Sequence, residues 1–110
     1  MCGIAGIINK EGVDRTFLLQ MRESMVHRGP DDSGLWINSD GTVGLAHRRL
    51  SIIDLSEAGK QPMSDSNEKV RVTFNGEIYN FQEIRDGLEK KGYQFRSQTD
   101  TEVMIYVYQE

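Results

Sequence analysis

A chain of 110 residues is long enough for one small domain with a core and too short for two. Its 27% charged and 37% hydrophobic residues are those of an ordinary globular protein, not of a disordered or membrane-embedded one. The formal charge of -4, with Arg48-Arg49 as the densest basic cluster, argues against a nucleic-acid partner. No long apolar run or secretory leader pattern is present, so the expectation is a cytoplasmic protein with no membrane partner.

Taken in chain order, Gly3 to Asn9 is a short apolar run that predicts a buried strand starting at the terminus. Asp14 can cap a helix of roughly three turns whose apolar positions are Phe17, Leu18, Met21 and Met25, with Gly29-Pro30 as the stop. Leu35-Trp36-Ile37, a turn at Asn38 to Gly41, and Val43 to Ala46 predict a hairpin. Arg49 to Leu55 has strand composition centred on Ile52 and Ile53, and Ser56 to Asn67 reads as a polar loop. Val70, Val72 and Phe74 alternate with Arg71 and Thr73, a half-buried strand ending at Asn75-Gly76. Asn80, with Glu83 three residues on, can cap a second helix that presents Phe81, Ile84 and Leu88 and closes at Gly92. Tyr93 to Phe95 is too short to assign. A last helix opens at Thr99-Asp100 with Val103, Met104, Val107 and Tyr108 on its apolar face. That face is still running at Glu110, which gives the expectation that the same domain continues beyond it. The class is α+β, with several strands and at least three helices.

The one cysteine, Cys2, cannot form an internal disulfide, and His27 and His47 do not stand at zinc-ligand spacing to it, so no metal is expected. A lone cysteine is ordinarily a small buried hydrophobe. Position two adds another possibility, because removal of Met1 would place a free α-amino group on the cysteine itself. Thiols and α-amino groups titrate at about 8.5 and about 7.7–8.0, close enough for proton exchange that makes the sulfur a nucleophile. Gly3 beside it would leave room for a substrate carbonyl. Asn75-Gly76 reads either as a tight turn or as an amide and a glycine N–H aimed at an oxyanion. Arg49 and Asp100 are either a solvated cation and a helix cap or the pair that holds the two charged ends of an amino acid.

Five strings in order carry a resemblance: Met1 to Gly6, His27 to Asp31, Arg49 to Asp54, Gln61-Pro62 and Asn75 to Asn80. Together they resemble the glutaminase domain of glutamine-hydrolysing asparagine synthetases. The Cys-Gly-Ile start fits any class II glutamine amidotransferase, whereas His-Arg-Gly-Pro-Asp and Asn-Gly-Glu-Ile-Tyr-Asn point to this branch. The resemblance implies an enzyme with the four-layer α-β-β-α fold of N-terminal-nucleophile hydrolases, present here only in part. It implies Cys2 as nucleophile, Asn75 and Gly76 as oxyanion hole, and Arg49 on the glutamine α-carboxylate. Asp100 with Glu77 would hold the α-ammonium, and backbone near Leu50, Ile52 and Ile53 would complete the pocket. Ammonia would pass to a C-terminal synthetase domain that uses ATP and magnesium on aspartate; no cofactor is implied within residues 1–110. A sugar or an envelope or antibiotic precursor as acceptor, and an inactive fragment, are the rival implications. Alone, the fragment is expected to be poorly stable or a homodimer through exposed strand edges.

Overall fold

The computed structural model describes residues 2–50 and 57–110. The first half contains β1 (Gly3–Ile8), α1 (Arg15–Glu23), β2 (Asp32–Ile37) and β3 (Val43–Arg49). Strand β3 lies between β1 and β2, antiparallel to both, so that Ala46 stands opposite Ala5 on one side and Leu35 on the other. The second half holds a 3-10 turn at Glu57–Gly59, paired two-residue strands β4 (Met63–Ser64) and β5 (Arg71–Val72), and helices α2 (Phe81–Lys90) and α3 (Thr101–Gln109). Helices mixed with antiparallel sheets make the class α+β, in agreement with the sequence pattern.

Helix α1 begins as Asp14 predicts, its Oδ1 accepting from the Phe17 amide at 3.2 Å. It is shorter than the spacing suggests. Ser24 turns its hydroxyl onto the Met21 carbonyl at 2.7 Å, and Met25 falls in the turns beyond the helix. Leu18 is fully buried over Gly44 of β3, whereas Phe17, expected on the same face, is 54% exposed. Strand β1 is likewise covered on one face only. Gly3, Ala5 and Ile7 lie toward the α1 side, and Ile4 and Ile8 on the other face are exposed, so the strand is not buried as expected. Among the described residues, β1 and β2 each keep one outer edge unpaired.

The hairpin is longer than predicted. Asn38 Oδ1 accepts from the Thr42 and Val43 amides at 2.8 and 3.0 Å, and the strands beyond it reach Asp32 and Arg49. Arg49 therefore closes β3 instead of opening a new strand. Residues 51–55 of that predicted strand, Ile52 and Ile53 among them, lie outside the described residues, as does Ser56 of the loop that follows. The polar loop from Ser56 contains β4, because Met63 is buried and faces Val72 across the ladder. Strand β5 stops at Val72, short of Phe74, for a reason that belongs to the site.

A second core gathers Met63, Leu88, Val103, Ile105 and Tyr106, with Val70, Val72, Phe81, Ile84, Tyr93 and Phe95 around it. Tyr93 and Phe95, unassigned from sequence, are loop residues whose rings meet Tyr106 at 5.1 and 4.9 Å. Helix α2 ends in a Schellman motif: the Gly92 amide donates to Glu89 O at 3.0 Å and the Tyr93 amide to Leu88 O at 3.2 Å, with Gly92 at φ 101°. Asn80 takes the N-cap position but its side chain makes no capping bond. In α3 the buried apolar residues are Val103, Ile105 and Tyr106, while Val107 and Tyr108, expected on the packed face, are exposed. Six consecutive apolar or aromatic residues, 103–108, leave no period from which the packed side can be read.

Candidate active site

Cys2, Arg49, Leu50, Asn75, Gly76, Glu77 and Asp100 all line one cleft of about 420 Å³. The antiparallel register makes the first of these contacts. Gly3 pairs with Arg48, so the chain one residue before β1 meets the chain just after β3. The Leu50 amide donates to Cys2 Sγ at 3.3 Å, and the thiol faces the Leu50 carbonyl at 3.8 Å. Arg28 Nε donates to the Cys2 carbonyl at 3.2 Å, which ties the His27–Asp31 string to the same point. Gly3 does not face the cleft. A Cβ there would come 2.9 Å from Met25 Cβ, so its small size answers packing against the turns after α1 and not the approach of a substrate.

Arg49 is only 6% exposed, and its Nη1 lies 4.0 Å from Oδ2 of Asp32, its register partner on β2. The other oxygen of that carboxylate is 3.6 Å from Lys60 Nζ. The Arg49 carbonyl accepts from the Asp31 amide at 2.9 Å. The solvated reading of Arg49 is therefore overturned: a buried guanidinium is held at a cleft wall with an acidic neighbour behind it.

Asn75-Gly76 closes no hairpin, since the chain runs on into α2. What bends it out of the ladder is the backbone of Phe74. Its N–H donates to Gln61 Oε1 at 2.7 Å, and its carbonyl is 3.1 Å from His47 Nε2. Both groups that a longer β5 would pair are taken by side chains. His47 is 1% exposed; burial is the strongest influence and lowers its pKa, the Phe74 bond opposes that, Arg49 lowers it further and Asp32 raises it. The ring is thus neutral near pH 7, with its proton on the nitrogen that must donate to a carbonyl.

Asp100 stands at the N-terminus of α3 without capping it. Its Oδ2 instead accepts from the Ile78 amide at 2.9 Å. The loop before it is fixed by Glu102, 1% exposed, which accepts from the Arg96 amide at 2.9 Å, the Ser97 amide at 2.8 Å, the Ser97 hydroxyl at 2.6 Å and the Tyr106 hydroxyl at 3.3 Å. Glu77 is exposed at the cleft mouth. Ile52 and Ile53 lie outside the described residues. The cleft thus has a cationic wall at Arg49, an anionic corner at Asp100 and Glu77, a thiol, and an amide with a glycine beside it. Sequence reasoning missed Asp32, His47, Thr101 and Glu102 and saw Gln61 only within a family string, because a polar residue held by tertiary contacts is recognised by its partner and not by its neighbours in sequence. Among the described residues, no three His, Cys, Asp or Glu side chains group as a metal site, and no helix is long and apolar enough to cross a membrane.

A family model described as a glutamine amidotransferase domain matches residues 1–110, and the chain belongs to that family of enzymes. Among curated proteins it is similar to asparagine synthetase [glutamine-hydrolyzing] 1 of Bacillus subtilis, 46% identical over 98% of this chain and 17% of that protein. It is 40% identical to asparagine synthetase [glutamine-hydrolyzing] 1 of Arabidopsis thaliana, over 100% of this chain and 18% of that one. A putative asparagine synthetase [glutamine-hydrolyzing] 1 of Methanocaldococcus jannaschii is 34% identical over 100% of this chain and 23% of its own length. The chain thus spans about a fifth of the length of the relatives it matches.

Proposed function

We propose that residues 1–110 are the N-terminal part of a type 2 glutamine amidotransferase domain with the four-layer fold of N-terminal-nucleophile hydrolases. In this reading the domain hydrolyses glutamine and supplies ammonia for asparagine synthesis. Cys2, freed of Met1, attacks the side-chain carbonyl carbon of glutamine while its α-amino group takes the thiol proton. The carbonyl oxygen, now negative, is met by the Asn75 side-chain amide and the Gly76 N–H. The carbon–nitrogen bond breaks, ammonia leaves with the proton returned to it, and water cleaves the thioester to glutamate and the thiol. Arg49 pairs with the substrate α-carboxylate, and Asp100 with Glu77 holds its α-ammonium. Leu50 lines the same pocket beside Cys2. A further domain, outside these residues, receives the ammonia and uses ATP and magnesium to activate the aspartate carboxylate.

The observation that carries this reading is the convergence, in one cleft, of a thiol, an Asn-Gly pair, a buried arginine and a buried aspartate drawn from both ends of the chain. The family assignment and the similarity to glutamine-hydrolysing asparagine synthetases support it. In the full-length polypeptide, Cys2→Ala is expected to lower ammonia release from glutamine by at least about 10³-fold. A variant that folds and retains appreciable release would refute the nucleophile.

A further inference from the structure

We infer that Gln61 is a positioning residue that locks the oxyanion-binding segment to the corner that binds the substrate ammonium. The inference rests on the roles proposed above for Asn75, Gly76 and Asp100. Its starting point is that Phe74 to Gly76 leave the ladder after Val72, so that segment has no sheet to hold its height above the cleft. Two buried side chains from different elements take over. His47, from β3, binds the Phe74 carbonyl, and Gln61, from the chain before β4, binds the Phe74 N–H at 2.7 Å.

The far end of the Gln61 amide reaches the other side of the site. Its Nε2 donates to Thr101 Oγ1 at 3.1 Å, and Thr101 is the first residue of α3, next to Asp100. The orientation of the amide follows from its partners. A backbone N–H can only donate, so Oε1 must face Phe74, and the two amide protons are left for the hydroxyl. Gln61 is itself held rigidly, being 8% exposed with its backbone wedged against β2. A Cβ on Gly34 would overlap the Gln61 carbonyl oxygen, which makes glycine the only side chain that lets β2 pass so close. Asn75 follows Phe74 directly, so Gln61, beside the His47 bond to Phe74 and the Asp100 bond to the Ile78 amide, joins the height of the oxyanion donor to its distance from the ammonium carboxylate. A shift on the order of 1 Å at such a point costs up to roughly a hundredfold in rate.

The test uses Gln61→Met, Gln61→Glu, Thr101→Val and Asn75→Ala in the full-length polypeptide, with glutamine hydrolysis and alkylation of Cys2 by iodoacetamide measured on each. Alkylation needs the thiol and its access but no oxyanion donor. Gln61→Met removes both bonds at nearly constant volume and is expected to lower kcat by roughly tenfold to a hundredfold with the alkylation rate unchanged. Gln61→Glu keeps an acceptor for Phe74, and the Thr101 hydroxyl can rotate to donate to it, so most of the lost kcat returns. Where Gln61→Met does not fold, Thr101→Val decides: it frees the far end alone, and a raised KM with lowered kcat supports the lock while parental values overturn it. A folded Gln61→Met with parental kcat, beside a slow Asn75→Ala, overturns the lock and leaves the site standing. Parental hydrolysis by Asn75→Ala would overturn the oxyanion assignment, and the lock with it.

Discussion

Glu102→Ala removes an acceptor from four donors at once, and the structure shows which of them can recover. The Ser97 hydroxyl is already 3.0 Å from Thr99 Oγ1, and the Tyr106 hydroxyl is 3.0 Å from the Gln94 carbonyl, so both keep a partner. Among the described residues, the Arg96 and Ser97 amides donate to Glu102 and to no second acceptor. Each bond to a charged group is worth about 2 kcal/mol, so losing the buried Ser97 bond and the half-buried Arg96 bond predicts a loss of up to about 4 kcal/mol. Glu102→Gln can keep its oxygen on Ser97 and turn its amide toward Tyr106, which sacrifices only the Arg96 bond and predicts about 2 kcal/mol. Denaturant unfolding with hydrogen exchange followed at residues 96 and 97 measures both. Because the same loop carries Asp100, KM for glutamine is expected to rise in step with the loss of exchange protection. If Glu102→Ala unfolds within 1 kcal/mol of the parent, or if the two substitutions cost the same, the carboxylate is not what orders the loop.

Three further outcomes are expected. Leu18→Ala, which empties a fully buried site between α1 and the three-stranded sheet, is expected to cost roughly 3 kcal/mol, read from the shift in denaturant midpoint at constant slope. Arg49→Lys keeps the charge and loses the two-pronged geometry, so kcat/KM for glutamine is expected to fall by about 2 kcal/mol, roughly thirtyfold, with most of the change in KM. Burial works against the charge on Asp65, but bonds from the Val70 and Lys69 amides and the Gln109 side chain outweigh it and hold its carboxyl below the ordinary range. Its folded-state pKa being depressed, the stability it adds is full above the ordinary carboxylate pKa and is lost as pH falls through the lowered value. Asp65→Asn is therefore expected to lower stability at neutral pH and to flatten the acid limb of a stability-against-pH curve, the two proteins converging as the parent's carboxylate is protonated.

The parts of the fold legible in the sequence are those whose cause is local. Asp14 announces α1, Asn38 the hairpin and Gly92 the end of α2, each by a bond to backbone a few residues away. The parts that were not legible depend on distant partners. Strand β4 exists because Met63 finds Val72, and β5 is short because Gln61 and His47 take the Phe74 backbone. The site divides the same way. Cys2, Arg49, Asn75, Gly76, Glu77 and Asp100 could be singled out by residue type and family strings, and the structure brings them into one cleft. The residues that hold them in place, Asp32, Gln61, Thr101 and Glu102, are polar side chains with no periodic or spacing signal, and only their tertiary contacts distinguish them from surface residues.

The central claim is that Cys2, with its own α-amino group exposed, is the nucleophile toward glutamine. It is tested most directly by intact mass and peptide mapping of the full-length polypeptide before and after treatment with a glutamine-like chloroketone. The account predicts loss of Met1 and a single adduct on Cys2, slowed by excess glutamine and abolished by Cys2→Ala. A folded protein that has lost Met1 and takes up no adduct, or takes it up on another residue, would contradict it.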